Sequence, residues 1–160
     1  YAVPASGVTK ARTVPKIHDI TTDTVNPPAF VAALEARRLA KATNKAVYEG
    51  AEIAAQQRKA YPDIRPVKRA EAPDRLYDRA LATSRALGWT ILATDKPSGR
   101  IEATDRTLWF GFTDDIVIRV AVDGAGASRL DIRSVSRVGR SDAGTNAARI
   151  RRFIAAIEAP

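Results

Sequence analysis

The 160-residue chain contains no cysteine and no methionine, one histidine, and only 6% aromatic residues. Without cysteine there is no disulfide and no thiolate metal centre. One histidine is too few for a structural zinc site, so neither metal nor cofactor is expected. No apolar run approaches the roughly 20 residues that span a bilayer. Gly-x-Ser-x-Gly is absent, as are the phosphate-binding and dinucleotide-binding glycine patterns. The missing methionine has a different consequence. Tyr1 is not expected to be the translation start, and removal of an upstream signal peptide, membrane anchor or initiator is anticipated.

What the chain does have is positive charge: 26 Lys and Arg against 18 Asp and Glu, a net charge of +8. Such a balance favours acidic partners. The basic residues are dispersed, however, and nucleic acid is not the expected partner because no strand interleaves them with aromatics. The 45% hydrophobic content suits a single domain with its own core.

Residues 1–28 read as irregular, with a short extended stretch around Ile17 and a stop at Asn26-Pro27-Pro28. A short helix is expected over residues 29–40 from Phe30, Ala33, Leu34 and Arg37. Residues 44–60 fit either helix or loop, and residues 61–66 are an extended connector with two prolines. A helix opens at Pro73-Asp74 and ends at Gly88. Strands follow at 89–94, 100–107 and 115–122, then an arginine-bearing strand at 128–138 and a helix from Ser141 or Asp142 to Ile157. The expected fold is α+β: a four-stranded antiparallel meander packed on one face by two helices. Residues 1–66 form a wrapping N-terminal segment and 67–160 the α+β domain, within one compact unit.

Alternation sends Leu130, Ile132 and Val138 to one sheet face and Arg129, Asp131, Arg133 and Arg137 to the other. That arginine row runs toward a helix start, and both features attract anions. The candidate ligand-binding set is Arg119, Arg133, Ser134, Ser136, Arg137, Arg140, Ser141 and Asn146, with Arg149 nearby. The alternative is a salt-bridged face in which Asp131, Asp115 and Glu102 neutralise Arg119, Arg133 and Arg100, with Ser141 or Asp142 merely capping the helix. Ion-pair networks of this kind are the commoner origin of such clusters.

The run Trp109-Phe110-Gly111-Phe112-Thr113-Asp114-Asp115, Arg119, and the stretch from Asp131 through Arg137-Val138-Gly139-Arg140-Ser141-Asp142 to Ala147 resemble the bacterial DUF1499 family. Ile17-His18-Asp19-Ile20-Thr21-Thr22-Asp23 and Tyr61-Pro62-Asp63-Ile64 also resemble that family's N-terminal signatures, so the resemblance spans residues 16–157. It implies no specific chemistry, since this is a domain of unknown function. It does imply a bacterial cell-envelope location, periplasmic or membrane-anchored, with tethering through an upstream segment.

The preferred expectation is a non-catalytic, envelope-associated accessory or binding domain whose arginine face engages an acidic ligand or protein partner. The alternative is a hydrolase or isomerase acting on an anionic substrate, with His18 as base and Asp19 or Asp23 orienting it. A lone histidine more often fastens a segment by hydrogen bonding. The aromatic run 108–112 suits a core edge better than a membrane or base contact.

Overall fold

The computed structural model describes residues 14–108, 111–139, 142 and 144–160. The expected irregular start over residues 1–13, and Trp109, Phe110, Arg140 and Ser141, lie outside the described residues. Among the described residues the architecture is α+β, with four helices and one antiparallel sheet. The sheet has six strands rather than four. The meander is present as β3 (Thr90–Asp95), β4 (Arg100–Arg106), β5 (Thr113–Val122) and β6 (Ser128–Ser136). Two three-residue strands from the first half, β1 (Asp19–Thr21) and β2 (Val67–Arg69), pair with the outer edge of β6. β1 lies against Arg133 to Val135 and β2 against Ser128 to Leu130. Three residues are too few to carry a period-two pattern, and these strands exist because β6 offers an unpaired edge.

One sheet face is apolar. Ile101, Ile116, Ile118, Leu130 and Ile132 pack beneath α3 (Pro73–Ala86) and α4 (Thr145–Glu158), which supply Leu76, Ala80, Ile150, Phe153 and Ile157. Fully burying side chains of this kind contributes about 1.5–3 kcal/mol each, so this layer is the main stabilising unit. Ile91 only packs at its margin, because β3 is an edge strand with a bulge between Ile91 and Ala93. α3 begins with Pro73 in its first turn and Asp74 near the positive helix end. It closes in a Schellman motif: Trp89 N–H donates to Ser84 O at 3.2 Å and Gly88 N–H to Arg85 O at 3.0 Å, with Gly88 at φ +84°. Trp89 is thereby delivered onto Phe153, ring centroids 5.5 Å apart.

The other face is polar and covered. Residues 22–50, with the short helix α1 (Ala33–Leu39), lie over it, and among the described residues only Phe30, Ala33, Val117 and Val135 form a buried apolar cluster there. The ambiguous stretch resolves into α2 (Ala51–Ala60), whose Gln57 bonds the β1 backbone by donating to Thr21 O at 2.7 Å and accepting from Thr21 N at 3.0 Å.

The β3–β4 turn makes one sharp demand. A Cβ at Gly99, where φ is +72°, would lie 2.0 Å from Val120 O. Gly99→Ala is expected to destabilise by about 1–3 kcal/mol, from left-handed strain and a backbone clash no rotamer relieves. A urea midpoint unchanged from the parent would contradict this.

Candidate functional site

On the sheet face, Arg119, Arg129, Arg133 and Arg137 are each committed to a carboxylate of this chain. Arg133, only 2% exposed, donates to both oxygens of Asp19 at 2.9 and 2.7 Å, and to Pro28 O and Ala46 O at 3.0 and 2.8 Å. Its guanidinium also lies over the rings of Phe30 and Tyr48, at 5.1 and 5.6 Å. Burial, aided by the Asp19 charge and opposed by Arg133 and Arg58, pushes the Tyr48 hydroxyl up to about 12. Arg137 grips both oxygens of Asp115 at 3.0 and 2.8 Å, and Arg37 from α1 reaches the same carboxylate at 2.7 Å. Arg119 and Arg129 both contact Asp23 and Asp131. Burial alone would raise the Asp23 carboxyl. The Asn26 and Val25 amides with Arg129 and Arg119 outweigh it, and the group lies below its ordinary range.

The expectation that Asp115 neutralises Arg133 therefore needs correction. Arg133 takes Asp19, delivered by β1, and Asp115 is left to Arg37 and Arg137. The helix starts are filled in the same way. Glu102, fully buried, accepts from the amides of Val31, Ala32 and Ala33 at 2.8–3.0 Å at the head of α1. Asp142 caps α4 by accepting from Gly144 and Asn146 N–H, both at 2.8 Å.

Ser134, Ser136 and Asn146 do not join Arg133 and Arg137, since strand alternation puts the serines on the opposite face, where α4 brings Asn146 to them. There Ser134 Oγ donates to Asn146 Oδ1 at 2.6 Å, Asn146 Nδ2 donates to Ser136 Oγ at 2.8 Å, and Arg149 Nη1 donates to Asn146 Oδ1 at 2.9 Å. Arg140 and Ser141 lie outside the described residues, so the expected constellation divides at β6.

An open cleft of about 920 Å³ lies at the end of the sheet, where β4 finishes, β5 begins and α4 starts. Its floor is polar. Arg149, 1% exposed, donates through Nε to Asp105 at 2.8 Å and places Nη1 2.8 Å from Asp114 Oδ2. That second contact is an ion pair off the hydrogen-bond line, since Oδ2 has no aligned donor among the described residues. Burial raises the Asp114 carboxyl, while Arg149 and Ser136 pull it back only in part. The walls carry Leu87, Trp89, Leu108, Phe112 and Val138. At the rim stand Arg106 and Arg152, both exposed and both without a carboxylate partner among the described residues. Arg106 is steadied by donating through Nε to Gly111 O at 3.0 Å.

A family model described as a protein of unknown function, DUF1499, matches residues 19–157. The chain belongs to that family. No curated protein matches it. In this DUF1499 domain His18 is not a cleft residue. It lines a depression of about 10 Å³ with Asp19, Val47, Glu49 and Ile53, and its carbonyl accepts from Ser136 N–H at 2.9 Å. Among the described residues, no helix is long and apolar enough to cross a membrane, and no group of three or more His, Cys, Asp or Glu could hold a metal ion.

Sequence reasoning singled out neither the cleft nor its free arginines. The available signal was Asp105 and Asp114 bracketing the apolar run 108–112, with Arg149 and Arg152 one turn apart on α4.

Proposed function

We propose that this domain is a non-catalytic, envelope-associated binding module that takes an acidic ligand, or an acidic group of a protein partner, in the cleft at the sheet end. The observation that carries the reading is the contrast in arginine commitment. Sheet-face Arg119, Arg133 and Arg137 are saturated by internal carboxylates, whereas Arg106 and Arg152 at the cleft rim have none among the described residues. The carboxylates lining the cleft are each engaged: Asp105 and Asp114 by Arg149, and Asp142 by the α4 amides. What remains uncommitted there is positive and presents forks suited to carboxylate or phosphate.

The enzymatic reading, with His18 as base, has less support. Asp19 and Asp23, which would orient the imidazole, already bind Arg133, Arg119 and Arg129.

The test is an NMR titration of the labelled domain with methyl phosphate and with a glutamate-rich peptide. Amide shifts are expected at Thr104, Thr107 and Thr145, and Arg106→Ala combined with Arg152→Ala is expected to weaken binding about tenfold or more. Both side chains are exposed, so stability should change by less than about 0.5 kcal/mol. Shifts confined to other surfaces, or binding indifferent to the double substitution, would remove the proposal.

A further inference from the structure

The cleft combines two features that a small inorganic anion would not use together. Its free cations stand at the rim, while its walls are apolar and in part wet. Leu108 is 98% exposed, Phe112 49% and Val138 36%. Scattered exposed apolar residues are ordinary on a protein surface, but these converge on one concavity. Trp89, 6% exposed and stacked on Phe153, supplies a rigid inner wall. An opening of about 920 Å³ is of the size that accepts a small organic molecule.

We infer that the ligand is an anionic amphiphile, whose acidic head lies between Arg106 and Arg152 and one apolar chain of which lies along Leu87, Trp89, Leu108 and Val138. This inference rests on the cleft being the binding site. Covering the wall removes apolar surface from water, and the head finds two guanidiniums that have no competing carboxylate. The polar floor of Asp114, Arg149 and Ser136 sets the depth the chain can reach, because burying an alkyl group against an ion pair and hydroxyls returns nothing for the water it displaces. Free single-chain acids and acidic membrane lipids present the same chemistry.

Calorimetric titration of the full chain with octyl phosphate, methyl phosphate and octyl glucoside, each below its micelle concentration, tests the inference. Octyl phosphate is expected to bind with one-to-one stoichiometry, more than tenfold tighter than methyl phosphate. Leu108→Ser removes an exposed side chain and should leave the fold intact. It is expected to reduce octyl phosphate affinity severalfold and leave methyl phosphate unchanged. Equal binding of octyl and methyl phosphate would overturn the amphiphile while leaving an anion-binding cleft. Octyl glucoside binding as tightly as octyl phosphate, or no phosphate binding at the cleft, would overturn both. Co-sedimentation with phosphatidylglycerol vesicles, blocked by octyl phosphate, would identify a membrane lipid as the source. Octyl phosphate binding without vesicle capture would identify a free amphiphile.

Discussion

Arg133→Ala is expected to destabilise the domain by about 3–5 kcal/mol, read as a fall in the urea midpoint. The loss comes from what is left behind. Asp19, with a side chain only 8% exposed, would keep its charge with no counter-ion, and the carbonyls of Pro28 and Ala46 would lose their donor. Phe30 and Tyr48 would flank a void. Against a typical total of about 5–15 kcal/mol, such a loss unfolds a large fraction of a marginal domain. Arg133→Lys should recover less than half, because an ammonium cannot hold both Asp19 oxygens and two carbonyls in one plane. Removing both charges, as Asp19→Leu with Arg133→Met, should recover most of the stability. A single Arg133→Ala variant within about 1 kcal/mol of the parent would mean that this pair does not hold the N-terminal segment in place.

Asp115→Ala is the second large effect. Asp115 is fully buried and serves two guanidiniums, Arg37 at 2.7 Å and Arg137 at 3.0 and 2.8 Å. Its loss leaves two like charges facing each other with side chains only 5% and 14% exposed, again at a cost of about 3–5 kcal/mol. The damage should be local first. Hydrogen exchange is expected to accelerate over residues 31–44, where α1 covers the sheet, while α3 and α4 retain protection from their own apolar layer. Uniform loss of protection would instead mean that the covering segment and the main core unfold as one unit. The pair between Arg38 and Glu35, 69% and 62% exposed, is a useful control, since solvent screening leaves such a pair with little effect on stability.

These two sites explain how a strongly basic chain can place a row of arginines beneath a covering segment. The polar sheet face is closed by ion pairs because its apolar complement is small: four buried residues, against the much larger cluster under α3 and α4. The strap over it is mostly irregular backbone, held at Asp19, Asp23, Arg37 and the head of α1. The same contacts consume the anion-binding capacity that the arginine strand and the helix starts would otherwise offer. Among the described residues, no segment crosses the cleft.

Periodicity alone located α3, α4 and the four meander strands, since each is long enough to repeat its pattern and is closed by Pro73, Gly88 or a glycine turn. It also fixed which face of β6 is apolar, because a one-residue slip would invert Leu130 and Ile132. Partner choice was not legible. Whether Arg133 meets Asp115 on the next strand or Asp19, 114 positions away, depends on where the β1 backbone docks, and alternation carries no information about that. The cleft was equally hidden, for it is assembled from the ends of four strands and two helices that meet only in three dimensions. Sequence by itself determined the layers and the charge; tertiary packing decided which arginines are spent on the fold and which, like Arg106 and Arg152, have no carboxylate partner among the described residues.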